Sequence, residues 1–421
     1  MVVKLYAEDT LITGIDAGNT TLKISFLDET GNIKDFAIPT CIAPAPSTAI
    51  EMKEHKLYDI AAEEFLHVRV QTTALDAEER DSTWYCGLYA QDQQNVRQPK
   101  VNNGAAEQKF SDSNKAVFVI PTLVSIAVAA MKAGKIQVRV PLFIGETVES
   151  YKRRKDKLMD LFLGKHFVTF IDGVYKDKSV EIEIVDVEVE VESVTTSLAI
   201  EFTIVDGNCV DTELGTKIGQ NYALADLGAG TTDVAVFTEK GVDKRKTHGT
   251  NIGTNSYIDA MIREIALMDE FKEIRQHLLS NGFKDEEAVP YRSREKFVNE
   301  IIRPQIDKML LNEDKEYKPT YKLKWGWIKN IDVTPIVEKY LSQYANSEKN
   351  SLLLTYADLD VDNFLVVGGG VLFGYYNGLK DLEDKYNMIF PSLKDSQFFT
   401  SRSYLIANYL NQYEKYATVE N

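Results

Sequence analysis

A strand–turn–strand pattern occurs twice in this chain. GIDAGNTTLKISF covers residues 14–26, and ADLGAGTTDVAVF covers residues 225–237. In both segments an apolar run ends in an aspartate, a glycine-containing turn with two threonines follows, and an apolar run then resumes. Solenoid repeats run at about 20 to 50 residues. Two copies that lie roughly two hundred residues apart therefore predict two related lobes rather than a solenoid.

The length of 421 residues supports the same organisation. Single cores stop growing at about 250 to 300 residues, so two or more lobes are expected. The chain is 44% hydrophobic and 27% charged, which is ordinary for a soluble globular protein. We therefore predict an α/β fold of two lobes, each with a mixed central sheet and flanking helices.

Charge and cysteine content restrict the partners and the compartment. The formal net charge of −16 opposes direct nucleic-acid binding, because phosphate neutralisation requires clustered Lys and Arg. Three widely spaced cysteines without a metal-ligand pattern fit a reducing cytoplasm. The N-terminus does not have the pattern of a signal peptide, and we find no run of about 18 apolar residues that predicts a membrane helix. We expect a cytoplasmic protein that contacts neither membrane nor nucleic acid directly.

Hydrophobic periodicity predicts further elements around the two turns. Ala116–Lys132 is long and apolar, which predicts a largely buried helix. Alternating Val or Ile and Glu within residues 167–202 predicts a strand pair with one solvated face. Other predicted elements are helices at Asn255–Leu267, Val333–Tyr344 and Ser401–Tyr413, and a strand at Asn363–Val367.

The predicted domain organisation follows from the position of the two turns. Residues 1–216 form a first lobe, in which the polar, Pro- and Gln-containing stretch of about 28–112 is an insertion subdomain. Residues 217–394 form a second lobe, in which the highly charged stretch of about 268–332 is an outer subdomain. Residues 395–421 are expected to return to the first lobe.

The first turn has the residue types of a phosphate-binding loop. Gly18 lets the backbone approach a ligand, and successive N–H groups can point at a phosphate. Asp16 is the candidate metal residue. It would hold Mg²⁺ through water, because Mg²⁺ keeps several waters and contacts few carboxylates directly. An ordinary hairpin with an Asx-type turn is the alternative for this segment alone. The other candidate nucleotide-binding residues of this turn are Asn19, Thr20, Thr21 and Lys23.

The second turn repeats this chemistry and changes the balance between the two interpretations. Asp226 stands where Asp16 stands in the first copy, and it is the second candidate metal residue. Two such turns facing each other could clamp phosphates from opposite sides, with the metal between the two aspartates. The pair therefore favours nucleotide binding over two ordinary hairpins. The candidate nucleotide-binding residues of this turn are Gly228, Ala229, Gly230, Thr231 and Thr232.

The two turns resemble the phosphate-one and phosphate-two motifs of the superfamily of actin, sugar kinases and DnaK chaperones. NFLVVGGG at residues 363–370 resembles the adenosine motif of the same superfamily, which adds Gly368, Gly369 and Gly370 as candidate nucleotide-binding residues. Within that superfamily the chain is most similar to the ParM-type plasmid-segregating actins. Segments that carry this resemblance are Val140–Leu142, Tyr151–Lys152, Leu163–His166, Val191–Ser193 and Gln397–Tyr404.

The resemblance implies an actin-like ATPase fold with the nucleotide in the cleft between the lobes. It implies that Glu192 orients or deprotonates the attacking water, with Asp226 as the alternative. A solvated strand face also explains Glu192, since Glu188 and Glu190 precede it in alternation. Gly253 comes before a predicted helix, and its backbone is expected to approach the nucleotide. The implied cofactors are Mg²⁺ and ATP or ADP, with GTP as an alternative nucleotide.

The resemblance also implies a function and its partners. It predicts a bacterial, cytoplasmic ATPase that polymerises with itself into nucleotide-dependent filaments. These filaments would segregate plasmid DNA through a basic DNA-binding adapter of the ParR type bound to a plasmid centromere. The alternatives are a sugar or acid kinase of the same superfamily and, less favoured because no peptide-binding domain follows the third motif, a DnaK-like chaperone ATPase.

Overall fold

The computed structural model describes residues 9–49, 60–93, 95–99, 101–102, 105–106, 109–146, 148–191, 195–311 and 317–419. The chain divides into two compact units. The first contains Met1–Gly219 and Phe398–Asn421, and the second contains Gln220–Gln397.

Strands of the first unit form one large sheet and two small hairpins. In the large sheet the spatial order is β3-β2-β1-β9-β11-β10-β5-β6-β4, while β7 pairs with β8 and β12 with β13. These strands are β1 Thr13–Ala17, β2 Thr21–Leu27, β3 Ile33–Pro39, β4 Ile42–Pro44, β5 Leu66–Gln71, β6 Asp81–Cys86, β7 Val101–Asn102, β8 Ala105–Ala106, β9 Gln137–Glu146, β10 Gly164–Asp172, β11 Ser179–Val191, β12 Phe202–Val205 and β13 Asn208–Asp211.

Strands of the second unit form a smaller sheet and one hairpin. The sheet order is β16-β15-β14-β20, β17 also pairs with β15, and β18 pairs with β19. Strand β14 is antiparallel to β15 and parallel to β20. These strands are β14 Tyr222–Leu227, β15 Thr232–Thr238, β16 Gly241–Val242, β17 His248–Thr250, β18 Lys322–Trp325, β19 Ile328–Asp332 and β20 Asn363–Val367.

Helices flank both sheets. In the described residues they are α1 Leu88–Gln91, α2 Lys115–Lys132, α3 Val148–Phe162, α4 Leu198–Glu201, α5 Gly215–Ile218, α6 Thr254–Ala266, α7 Lys272–Ser280, α8 Arg294–Phe297, α9 Arg303–Leu311, α10 Thr334–Asp358, α11 Gly370–Gly374, α12 Lys380–Tyr386 and α13 Phe399–Val419. Short 3₁₀ segments occur at Ala62–Glu64, Asp269–Phe271, Tyr375–Asn377 and Ser396–Phe398, and a π segment at Val298–Ile302.

Helix α2 is the central helix of the first unit. Every residue from Ala116 to Ala130 is buried, and the helix shares one apolar core with the large sheet. By length and composition alone this helix could also cross a membrane. Its burial on all sides identifies it as a core helix of this unit, which confirms the prediction for Ala116–Lys132.

Helix α13 packs on strand β1 at a very short distance. A Cβ atom on Gly14 would overlap the backbone of Ser401 and Leu405 in this helix, so only glycine permits the contact. Farther along α13, the Asn408 amide donates hydrogen bonds to the carbonyl oxygens of Thr13 at 2.9 Å and Pro141 at 2.6 Å. The C-terminal helix is thereby fixed to the strand that leads into the first turn.

Helix α10 runs well past the predicted end at Tyr344 and reaches Asp358. Its buried residues keep a spacing of three or four positions, through Leu341, Tyr344, Glu348 and Leu352. The prediction was too short because Glu348 interrupts the apolar pattern with a charged residue. Helix α6 and strand β20 lie where they were predicted.

Candidate functional site

The first turn joins strands β1 and β2. Asp16 and Lys23 are cross-strand neighbours, and the Lys23 Nζ atom donates to Asp16 Oδ2 at 2.7 Å. Burial opposes ionisation of this carboxyl, but the charges of Lys23 and Lys109 outweigh it and lower the pKa of Asp16. The sequence analysis did not identify Lys109. Asp16 is therefore an ionised carboxylate at neutral pH, as a metal-binding role requires.

The loop between these strands is closed by backbone contacts around Gly18. A Cβ atom on Gly18 would lie 2.5 Å from the carbonyl oxygen of Thr21. Thr40 holds the loop from the other side, since its hydroxyl donates to the Gly18 carbonyl at 2.7 Å and its N–H to the Thr20 carbonyl at 2.9 Å. Asn19 Oδ1 is buried and has no hydrogen-bond partner in the described part of the chain. A ligand with a donor group would satisfy it.

The second turn, between β14 and β15, has the same size as the first. The strand register pairs Ala17 with Leu22 in the first hairpin and Leu227 with Thr232 in the second. Four residues therefore form each loop, Gly18–Thr21 in the first hairpin and Gly228–Thr231 in the second, with Asn19 and Thr20 or Ala229 and Gly230 at the tip. This register places Gly228 at the position of Gly18 and Thr231 at that of Thr21. The match of threonine pairs in the sequence is offset by one residue from the structural match.

Contacts at the second glycine repeat those at the first. A Cβ atom on Gly228 would lie 2.8 Å from the Thr231 carbonyl oxygen, to which the Gly228 N–H also donates at 2.8 Å. The position opposite Asp226 is Asp233, which accepts a hydrogen bond from the Thr231 hydroxyl at 2.9 Å. The first hairpin thus pairs its aspartate with a cation, whereas the second pairs its aspartate with another acid.

The second turn rests on the N-terminus of helix α6. The Asn255 N–H donates to the Ala229 carbonyl at 2.9 Å. A Cβ atom on Gly253 would lie 2.5 Å from that same carbonyl oxygen and 2.5 Å from the carbonyl carbon of Gly230. Gly253 therefore permits close contact between the turn and the helix start, where the positive end of the helix dipole lies.

The third glycine motif also reaches the second turn. Gly368 has a φ of +99°, and a Cβ atom there would lie 2.5 Å from the Leu227 carbonyl and would also overlap the Asp226 carboxylate. Gly370 lies against the same Leu227 carbonyl, whereas a Cβ on Gly369 would meet only Gln397, at 4.0 Å. The structure therefore brings Asp226, Gly253 and the glycine run together within the second unit.

Glu192, the predicted catalytic residue, lies outside the described residues. Strand β11, which leads towards it, is described up to Val191. The described residues contain no cluster of three or more His, Cys, Asp or Glu side chains that could hold a metal ion. A magnesium ion held mainly by waters and phosphate oxygens does not need such a cluster.

Glu348 is a residue of the second turn's surroundings that the sequence analysis missed. Its side chain is fully buried, and its Oε1 atom accepts a hydrogen bond from the Thr232 hydroxyl at 2.7 Å. Burial raises the pKa of Glu348 to about 7, against the opposing effects of the Thr232 and Tyr344 hydroxyls. The signal that could have revealed it is the helical spacing from Tyr344 to Glu348 to Leu352, which places an acid on an apolar face.

Comparisons with known proteins give consistent matches. A family model described as the N-terminal domain of actin-like proteins matches residues 14–194. Bacillus thuringiensis ParM with ATP shares 39% sequence identity at a TM-score of 0.75, over 96% of this chain and 100% of that one. The apo form of Bacillus thuringiensis ParM shares 41% identity at a TM-score of 0.66, over 97% and 98% of the two chains.

A third structure is a Bacillus thuringiensis ParM hybrid protein with ADP that contains two ParM mutants. It shares 38% identity at a TM-score of 0.75 over 96% of this chain, and the chain spans 49% of the hybrid, about half its length. A search of curated protein sequences returns no match.

Proposed function

The chain belongs to the ParM family of actin-like proteins, with the actin-like α/β fold predicted from its sequence, and we propose that it is an ATPase that assembles into nucleotide-dependent filaments. Solved relatives carry ATP, ADP or AMPPNP. We infer that this chain binds the same nucleotides, and GTP remains an alternative to be tested.

The repeated glycine geometry is the observation that carries this proposal. Gly18 and Gly228 occupy equivalent positions in two hairpins, and each approaches the carbonyl of the residue three positions later. Such tight loops turn successive backbone N–H groups outward, where they can contact phosphate oxygens. The contacts of Gly253 and Gly368 support the second of these loops.

The metal residues of the proposal are Asp16 and Asp226. Both stand two residues before the turn glycine, close in sequence to the backbone groups proposed to bind phosphate. Bound Mg²⁺ would be held by these carboxylates through water and would neutralise phosphate charge. The Lys23 Nζ atom lies 2.7 Å from Asp16 Oδ2 and adds a positive charge to that of the metal at the first turn.

Glu192 is the proposed positioning residue for the attacking water, with Asp226 as the alternative. Replacing Glu192 by Ala should leave nucleotide binding intact and remove most turnover, by about a hundredfold or more. Phosphate release at saturating ATP measures this. Unchanged turnover would assign Glu192 to the solvated strand face instead.

The biological function that we propose is plasmid segregation in the bacterial cytoplasm. An acidic chain with a net charge of −16 is unsuited to bind DNA directly, because contacts with DNA phosphates need clustered cations. We therefore propose a basic, DNA-bound adapter of the ParR type at a plasmid centromere as the link between filament and DNA. Head-to-tail contacts between copies would make the filament. Such contacts give an open filament instead of a ring when the rotation from one copy to the next does not close.

Light scattering and sedimentation after addition of Mg-ATP test the proposal. We expect assembly with ATP or AMPPNP, and weaker or transient assembly with ADP, with GTP run in parallel. Asp226→Ala should abolish assembly because it removes a proposed metal residue. Absence of assembly at any practical protein concentration would contradict the filament function, and sugar-stimulated ADP release would favour a kinase.

A further inference from the structure

Helix α10 presents one acidic side chain to the hairpin that carries the second turn. Glu348 Oε1 accepts from the Thr232 hydroxyl at 2.7 Å, and that hydroxyl also lies 3.3 Å from the Ile252 carbonyl. Thr232 is the first residue of strand β15 and is 1% exposed. The contact therefore lies directly behind the tip at Ala229 and Gly230.

Tyr344 forms the second part of this buried support. Its hydroxyl faces the Glu348 carboxyl and lowers the pKa of that carboxyl, against the larger, opposite effect of burial. The Tyr344 side chain borders Gly370, and its ring packs edge-to-face on Tyr257 of α6 at 5.5 Å. One turn of helix α10 thus contacts the residues that flank the second turn on three elements.

We propose that Glu348 is a positioning residue for nucleotide binding, which acts by holding Thr232 and thereby the second phosphate turn. This inference rests on the proposed nucleotide-binding function. A buried carboxyl costs stability, and an apolar residue at the same place would cost less. The carboxyl lies where it constrains the end of the second turn. A role in nucleotide binding therefore accounts for a buried acid that lowers stability.

The electrostatic surroundings make this support sensitive to protonation. The titratable group next to the carboxyl is Tyr344 on its own helix, and Tyr344 in turn interacts with Tyr257 on α6 and Asp226 on β14, so no cation is among these groups. A nucleotide phosphate at the turn would add further negative charge. Binding should therefore favour the neutral form of Glu348, and affinity should fall as pH rises through about 7.

Mg-ADP affinity at pH 6, 7 and 8 tests the inference in the full chain. We expect Glu348→Leu to weaken binding by about tenfold or more, because it removes the acceptor for Thr232. Glu348→Gln should keep the affinity of the wild type at pH 6 and lose the wild-type decline between pH 6 and 8. Glu338→Gln is the matched control, because it is the same substitution at an exposed position of the same helix.

Thr232→Val keeps the test decisive if Glu348→Leu fails to fold. It removes the hydroxyl donor alone and should weaken binding by itself. Its effect should vanish in the Glu348→Leu background, which has no acceptor, and persist in the Glu348→Gln background, whose amide oxygen still accepts. Wild-type affinity in Thr232→Val, additive effects of Thr232→Val and Glu348→Leu, or a wild-type pH profile in Glu348→Gln would overturn the inference. Failure of the wild type itself to bind Mg-ADP or Mg-ATP would instead refute the nucleotide-binding function on which it rests.

Discussion

Gly368 adopts a backbone conformation that L-residues rarely take, with φ at +99°. A methyl group there would also press on Asp226 and Leu227. We predict that Gly368→Ala lowers the free energy of unfolding by about 2 kcal/mol or more. Urea denaturation followed by circular dichroism measures this.

Gly369 supplies the matched control for that substitution. Its φ is −64°, and a Cβ atom would meet only Gln397 at 4.0 Å. Gly369→Ala should change the free energy of unfolding by less than about 1 kcal/mol. Equal losses in the two variants would show that close approach to Leu227 does not set the requirement for glycine.

The raised pKa of Glu348 predicts a pH dependence of stability. The folded-state pKa of Glu348 is about 7, whereas the ordinary pKa of a glutamate is 4.5. The folded protein therefore holds a proton that the unfolded chain has lost, and the free energy of unfolding should fall as pH rises from about 4.5 to 7. The full loss is about 3 kcal/mol by linkage.

Comparison of the wild type with Glu348→Gln isolates this contribution, because Gln does not titrate. The difference in free energy of unfolding between the two proteins should change across pH 5 to 8, and the wild type should lose more stability. Parallel pH curves would show that Glu348 does not titrate in this range in the folded protein.

At the scale of elements, the Asn408 amide links helix α13 to strands β1 and β9. Asn408 is buried and donates to carbonyl oxygens on two strands, at 2.9 and 2.6 Å. We predict that Asn408→Ala lowers the free energy of unfolding by about 2 kcal/mol, since two hydrogen bonds are lost and two buried carbonyls lose their donor. Thermal denaturation and chemical denaturation should rank the wild type and the variants in the same order of stability.

Asn411→Ala makes the same chemical change three positions later on helix α13, where the side chain is only partly buried. We expect a loss below about 0.5 kcal/mol for this control. Comparable losses at the two positions would show that helix propensity, rather than the Asn408 hydrogen bonds, determines the effect.

Local pattern accounts for what the sequence predicted well. The two hairpins, helix α6 and strand β20 follow from alternation, turn glycines and helical spacing within short windows. The end of α10 was missed because Glu348 breaks the apolar pattern although the fold buries it. Its partner Thr232 is 116 residues away, and no local rule connects them.

The structural match between the two turns needed the register as well as the sequence. Matching the threonine pairs equates Thr232 with Thr21, but strand pairing equates Thr231 with Thr21 and Thr232 with Leu22. That shift explains why Thr232 is buried and available to Glu348. Lys109 was likewise not predictable, because its influence on Asp16 is a through-space effect between distant parts of the chain.

At the scale of the whole molecule, net charge opposes the assembly that we propose. Each copy carries −16, so copies that associate repel one another unless ions screen them. The screening length is about 30 Å at 0.01 M salt and about 10 Å at 0.1 M. We predict that raising KCl from about 10 to 150 mM, at constant Mg²⁺ and ATP, lowers the critical concentration for assembly several-fold.

Sedimentation at a series of protein concentrations gives the critical concentration at each salt level. Mg-ADP affinity in the same buffers is the control. Salt should weaken the binding of an anionic nucleotide, and weaker binding would raise the critical concentration rather than lower it. A critical concentration that rises with salt while nucleotide affinity stays constant would mean that specific ion pairs between copies outweigh the repulsion. In that case the acidic surface would have to be concentrated away from the contacts between subunits, where it could serve a basic adapter without a cost to assembly.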